Sequence, residues 1–358
     1  MTRPHDDRGT GMSLVDRLRS EVSMMVQRSR NAVEYLSTPP PAVGLSPKTL
    51  LHRRGTLCLY HYHATSDEIY RVPLLFVMAT TSKAAIFDLT KGQSLIEFLL
   101  ARGYDVYVMD WHAPSQEESH LKLEHYVLDF IPDCIRRVQQ DSGVEDITLI
   151  GYCMGGVLSA LYAALHPGGP LKNLVCFTTP IDWTKMPLAK QRHFKAERLI
   201  DATGLVPPQA IIKAIELHRP AGKIAGQARL LDNLWNEDYV KGYRMMARFN
   251  DETLPLPGDY FRQIHQELGQ RNSLYEGGLR ISGQAVDLKK IEVSLLHVIA
   301  QYDSLVPPDC AQPLVARAGS RDKEELMLPG GHVSLVAGPA AVKRMWPKLD
   351  QWLGGRSV

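Results

Sequence analysis

Asp146-Ile-Thr-Leu-Ile-Gly-Tyr-Cys-Met-Gly-Gly156 constrains this chain more than any other stretch. Ile147, Leu149 and Ile150 form a nearly unbroken apolar run, the pattern of a parallel strand buried on both faces. Val157, Leu158, Ala160, Leu161, Ala164 and Leu165 then return at helical spacing, and this helix is expected to end near His166-Pro167. Cys153 therefore stands at a strand-to-helix turn. A nucleophile at so sharp a turn sits in strained backbone, and Gly151 and Gly155 leave room where strand and helix crowd together. The first free N–H groups of the helix point back at the thiol, favouring a thiolate and, later, an oxyanion. Met154 is the natural first donor. A five-residue Gly-x-Cys-x-Gly match also arises by chance, and free cysteine is often a small buried hydrophobe. The strand before it and the helix after it favour the nucleophile.

The rest of the chain alternates in the same way. Leu57–His63 and Pro73–Ala79 read as strands, Ser94–Arg102 as a helix closed by Gly103, and Asp105–Met109 as a strand ending in Asp110-Trp111. Leu121–Gln140 reads as a helix interrupted at Pro132. Leu174–Thr178 is a further strand, followed by Thr179-Pro180-Ile181-Asp182. Strands alternating with helices imply an α/β fold with a doubly wound, mostly parallel sheet. From Trp183 to about Gly283 the rhythm changes to helical stretches punctuated by Val206-Pro-Pro208 and Pro255-Leu-Pro257. An insertion here is expected to form a helical cap over the nucleophile. Its bulky residues, Trp235, Tyr239, Tyr243, Met245, Met246, Phe249, Tyr260 and Phe261, suit the cap's own core better than direct substrate contact. The core resumes with Val293–Ala300 and Glu325–Leu328, and ends in a helix.

Two more side chains follow core strands. Asp303 lies just after Val293–Ala300, where a doubly wound sheet presents ligand-facing groups, and His332 follows the last strand in Pro329-Gly-Gly-His332. The order nucleophile, acid, histidine is that of the α/β-hydrolase fold, and Gly-x-Cys-x-Gly is that fold's nucleophile elbow with cysteine in place of serine. We therefore expect Cys153, Asp303 and His332 as the catalytic set. The oxyanion donors would be the N–H of Met154 and one from Met78 or its neighbours. Asp110, Asp182 and Asp309 are runner-up acids with expected structural roles, and His112 could reach the pocket mouth. His61 and His63 share a strand face but lack a third ligand, so they read as solvated rather than as a metal site.

Other classes are excluded by simpler features. With 358 residues, 44% of them hydrophobic, one large domain with an insertion is the natural reading. A formal net charge of +2 gives no basic groove for nucleic acid. Cys58, Cys134, Cys153, Cys176 and Cys310 are odd in number and unpaired in spacing, which suits a reducing cytoplasm. No signal core or membrane span is expected. Residues 1–12 look disordered. A capping box, Ser13-Leu-Val-Asp16, opens a helix whose Leu14, Leu18, Val22, Met25, Val33 and Leu36 share a face, either for a partner or for its own domain. The expected divisions are 1–44 for this helix and a linker, 45–182 and 285–358 for the core, and 183–284 for the cap.

Gly151-Tyr-Cys-Met-Gly-Gly156, Thr178-Thr-Pro-Ile-Asp-Trp183, Asp303-Ser-Leu-Val-Pro-Pro308 and Gly330-Gly-His332 together resemble the polyhydroxyalkanoate synthases. Phe87-Asp-Leu89, Val106-Tyr-Val-Met-Asp-Trp111 and Val286-Asp-Leu-Lys289 extend the likeness from about residue 45 to the end. The length resembles the catalytic subunit of the two-subunit synthases. Departures from the family pattern are Ser82-Lys83 after the oxyanion strand, His112 after Asp-Trp, and Val-Ser after His332. The resemblance implies an acyltransferase that polymerises (R)-3-hydroxyacyl-coenzyme A through an acyl-cysteine, with coenzyme A as part of the substrate and no separate cofactor. It also implies a smaller accessory subunit, a homodimer or hetero-oligomer, and a place at the surface of polyester granules. Alternatives are a cysteine thioesterase or lactone hydrolase, and a non-catalytic granule-surface protein.

Overall fold

A computed structural model describes residues 14–39, 41–186, 196–218 and 220–358. The disorder expected for residues 1–12 and the capping box at Ser13 lie outside them. Eight strands form the central sheet: β1 (Lys48–Arg54), β2 (Leu57–Tyr62), β3 (Leu74–Val77), β4 (Val106–Trp111), β5 (Ile147–Tyr152), β6 (Leu171–Phe177), β7 (Ser294–Ala300) and β8 (Lys323–Leu328). Their order is β1-β2-β4-β3-β5-β6-β7-β8. β2 runs antiparallel to both neighbours, and every pairing from β4 across to β8 is parallel. The inner strands β3 and β5 are buried along their whole length, as their continuous apolar runs require.

Local chemistry sets the helix ends. α1 is Leu14–Ser37. α2 (Leu95–Ala101) starts at Ser94, whose hydroxyl accepts the Glu97 N–H at 2.9 Å. α3 (Ile131–Ser142) stops at Gly143, whose φ of 72° is the left-handed cap that glycine permits. Pro132 does not interrupt the helical run from Leu123. A π turn at Tyr126–Phe130 precedes α3, and the proline falls in the first turn, where no N–H is needed. α4 (Met154–Leu165) is almost wholly buried. α5 (Pro208–His218), α6 (Pro220–Asp232) and α7 (Glu237–Asp251) follow, and α8 (Pro339–Gly354) closes the chain. The Phe98 ring of α2 lies 5.4 Å from Trp346 of α8.

The chain divides into two compact units, Met1–Pro41 with Arg219–Arg248, and Ala42–His218 with Phe249–Val358. In the first unit polar side chains hold α1. Asn31 donates to the Leu234 carbonyl at 2.7 Å, and Arg244 donates to the carbonyls of Thr38 and Pro39, both at 2.6 Å. Val22, Met25 and Val33 of the expected apolar face stay exposed. The second unit contains the whole sheet. At the amino end of its parallel strands, His61 is not a solvated histidine: Nε2 lies 2.7 Å from Asp105, Nδ1 lies 2.9 Å from Asp141, and the ring stacks on Tyr107 at 4.2 Å. His63 is exposed and contacts Thr49 at 2.9 Å. Among the described residues no cluster of three or more His, Cys, Asp or Glu could hold a metal ion, and no helix is long and apolar enough to cross a membrane.

Candidate active site

Cys153 occupies the turn between β5 and α4 with φ 55° and ψ −117°, a conformation an L-residue tolerates only under constraint. Its N–H donates to Phe177 O at 2.9 Å, so β6 holds one side of the elbow. The glycines are sterically required. A Cβ on Gly155 would meet Val77 O at 2.0 Å, one on Gly151 would meet the Gly156 Cα at 2.5 Å, and one on Gly156 would meet Thr179 Oγ1 at 1.9 Å. The helix start is thereby pressed against the end of β3. There Met78 is fully buried, and its carbonyl accepts the Trp111 indole N–H at 2.9 Å. The same Cβ would meet the Met78 carbonyl carbon at 2.9 Å, so the helix start that carries Met154 lies against the chain at Met78. The first N–H groups of α4 have no partner within their helix and carry its positive end.

Asp303 follows β7, and a short turn aims it. Its Oδ1 accepts the N–H groups of Leu305 and Val306, both at 2.9 Å, which leaves Oδ2 for His332 Nδ1 at 2.6 Å. The carboxylate is fully buried and the imidazole nearly so. With Nδ1 taken by Asp303, Nε2 is the ring nitrogen left for Cys153, whose thiol neighbours the imidazole. Burial by itself would push the imidazole down. The thiol of Cys153 and the carboxylate of Asp303 outweigh it and carry His332 up to about 10, as expected for an imidazolium between two acceptors. The three side chains come from the carboxyl ends of β5, β7 and β8, and the structure brings them together.

The runner-up acids have other partners. Asp110 pairs with Lys83 at 3.0 Å and accepts the Ala84 N–H at 2.8 Å. Asp182 caps the turn at Trp183–Lys185 and accepts from Asn272 at 3.0 Å. Asp309 lies in the first turn of the short helix Pro308–Ala311. The main-chain N–H of His112 donates to Thr56 O, just before β2, at 2.7 Å, and burial first, then Lys83, lowers its imidazole. Lys83, the departure after the oxyanion strand, donates to Trp111 O as well as pairing with Asp110, so it braces that loop.

Three supporting residues have roles that the sequence did not assign. Ser334 accepts the Gly331 N–H at 2.8 Å and donates back to Gly331 O at 3.1 Å, pinning the loop that carries His332. Trp183 packs, as Cys153 does, against a buried cluster of Met186, Ile299, Val306, Cys310 and Ala311. Tyr152, inside the elbow motif itself, donates its hydroxyl to His332 O at 3.3 Å. The only sequence signal for Tyr152 was a bulky polar residue beside the nucleophile. From the expected cap, Tyr260 is fully buried and accepts from Thr80 at 3.2 Å, and the Leu254 N–H meets Thr81 O at 2.8 Å. Both contacts bear on the loop after β3.

Residues 88–339 match the family model of the alpha/beta hydrolase fold. Poly(3-hydroxyalkanoate) polymerase subunit PhaC of Haloferax mediterranei is 30% identical over 344 residues, covering 94% of this chain and 70% of the relative. Its counterpart from Allochromatium vinosum is 33% identical over 321 residues, covering 87% and 90%. Among solved structures, a monoacylglycerol lipase of Paleococcus ferrophilus aligns with a TM-score of 0.53 at 18% identity, over 83% of this chain and 99% of that one, a likeness of fold alone. A cysteine elbow on a β1-β2-β4-β3-β5-β6-β7-β8 sheet, with these relatives, places the chain in the poly(3-hydroxyalkanoate) polymerase PhaC family of the α/β-hydrolase fold.

Proposed function

We propose that this chain polymerises (R)-3-hydroxyacyl-coenzyme A into polyhydroxyalkanoate, releasing coenzyme A, through an acyl thioester on Cys153. The observation that carries the chemistry is the imidazole of His332, with one nitrogen on Asp303 and the other facing a thiol at the positive end of α4. His332 takes the Cys153 proton, and the thiolate adds to the substrate carbonyl. The oxyanion is met by the Met154 N–H and a donor at Met78. The carbon–sulfur bond to coenzyme A then breaks, and the imidazolium returns its proton to the departing thiolate. One thioester has replaced another, so the step is nearly balanced in free energy. A 3-hydroxyl next attacks the acyl-cysteine, giving its proton to His332 as the new ester forms and the thiol is regenerated.

Water at that second step would turn the polymerase into a thioesterase. The proposed cover is the part of the insertion after Arg248, whose Leu254 and Tyr260 bear on the loop after β3. We place the protein with a smaller accessory subunit at polyester granules and assign it no resident cofactor, since thiol, imidazole and carboxylate suffice for acyl transfer. The test is incubation with 3-hydroxybutyryl-coenzyme A, with and without a candidate accessory subunit, following thiol release and product size together. Release accompanied by polymer supports the proposal. Release accompanied only by free 3-hydroxybutyrate assigns a hydrolase.

A further inference from the structure

The residue directly before the nucleophile has no part in the chemistry just described, yet it reaches the residue that serves as base. Tyr152 is 2% exposed and ends β5. Its backbone is fixed by β6, in register with Phe177, and its ring is held edge-on by Phe87 at 5.8 Å. From this rigid seat the phenol ring lies 5.1 Å from the His332 imidazole, and its hydroxyl donates to the His332 carbonyl at 3.3 Å.

The histidine loop needs such a contact. His332 follows Gly330 and Gly331, which bring no side chain to pack, and Gly330 has φ 152°, open to few other residues. Ser334 ties Gly331, and the loop becomes buried only from Leu335 onward. Among the described residues no main-chain N–H donates to the His332 carbonyl. Asp303 fixes the imidazole at Nδ1 but not the backbone from which the ring hangs.

We infer that Tyr152 is a positioning residue, its hydroxyl clamping the His332 backbone to the strand that carries Cys153, so that one rigid element sets both partners of the proton transfer. The inference rests on the assignment of Cys153 and His332 made above. The expected cost of losing the clamp is small because a positioning error acts through angle and distance. One neutral hydrogen bond implies roughly a three- to tenfold fall in kcat with KM little changed.

The test compares wild type, Tyr152→Phe and Tyr104→Phe. Tyr104 is also fully buried and loses stronger hydroxyl bonds, to the Asp350 carboxylate at 3.0 Å and its carbonyl at 3.1 Å, remote from the elbow. Each protein is assayed for kcat and KM with 3-hydroxybutyryl-coenzyme A and for the pH profile of Cys153 alkylation by iodoacetamide, with thermal melting as the measure of stability. The groups facing His332 are Cys153, Asp303 and Tyr152, and those facing Cys153 also include Tyr260 and Cys310. Tyr152→Phe is expected to lower kcat by that factor and to move the alkylation profile, while Tyr104→Phe lowers the melting temperature and leaves the profile in place. A Tyr152→Phe enzyme whose kcat and profile match wild type overturns the clamp, as does a Tyr104→Phe profile that moves equally. Failure of the underlying assignment has a separate signature, since Cys153→Ala would then keep its turnover.

Discussion

Two histidine–carboxylate pairs sit at opposite ends of the sheet, and bond length hardly separates them. His332 meets Asp303 at 2.6 Å at the carboxyl end of the parallel strands, and His61 meets Asp105 at 2.7 Å at the amino end. What differs is the second nitrogen. In His61 it is taken by Asp141 at 2.9 Å, and the ring is stacked on Tyr107, so both nitrogens are spent on holding β2, β4 and α3 together. In His332 it faces a thiol. The carboxylates differ in the same sense. Asp303 is fully buried, with its other oxygen satisfied by backbone N–H groups, whereas Asp141 is one-third exposed. A His–Asp contact becomes a candidate for catalysis when one nitrogen is left unspent and faces a strained, glycine-bracketed nucleophile, and it becomes a staple when neither is.

Substitutions at the two ends should break differently. The largest effect is expected for Cys153→Ala, with coenzyme A release falling by roughly three orders of magnitude or more while the melting temperature changes little. Thiol-release kinetics and a thermal melt check this together. Asp303→Asn comes next. It can keep one carbonyl oxygen for the Leu305 and Val306 N–H groups but loses the charge behind His332, and a roughly 10²- to 10⁴-fold fall in kcat is expected.

Smaller, and sharper as a comparison, is the pH behaviour of His332. With its protonation raised from 6.5 to about 10, the stabilisation from the charged imidazole is complete below about 6.5 and is lost as pH rises through about 10. Acylation should fall on that same alkaline limb, because the imidazolium that protonates departing coenzyme A disappears. Proton NMR of the histidine Cε1–H signals should show the His332 midpoint dropping in Cys153→Ala, where the facing thiol is gone.

The smallest effect on activity is expected at the other end. His61→Gln should leave kcat within about twofold of wild type but cost about 1–2 kcal/mol of stability, read by urea denaturation. Burial lowers the His61 imidazole, but Asp105 and Asp141 together raise it above 6.5. Its contribution is therefore full below about 6.5 and fades as pH rises, so the gap between wild type and His61→Gln should narrow toward alkaline pH. A gap that widened, or a large loss of turnover, would erase the distinction between the two pairs.

The contrast also explains what could be read in advance. Strand, turn and helix around Cys153 are written in adjacent residues, and the positions just after β7 and β8 follow from where a parallel sheet presents its loops, so Asp303 and His332 were legible as candidates. The role of His61 was not, because Asp105 and Asp141 join it only once β2 lies antiparallel beside β4. Pro132 misleads for a local reason, since the π turn before it supplies a fresh helix start. The stripe on α1 suited either a partner or its own domain; Val22, Met25 and Val33 stay exposed, while Asn31, Glu34 and Tyr35 tie the helix to residues 219–248. Tyr152 and Ser334 act through main-chain atoms of the His332 loop, and no residue pattern advertises such contacts.

The most direct measurement is mass spectrometry of the enzyme quenched during turnover of 3-hydroxybutyryl-coenzyme A, followed by peptide mapping. The account predicts a hydroxybutyryl or oligomeric adduct on the peptide containing Cys153, absent from Cys153→Ala. Turnover with the Cys153 thiol free throughout, or an adduct mapping to another residue, would contradict it.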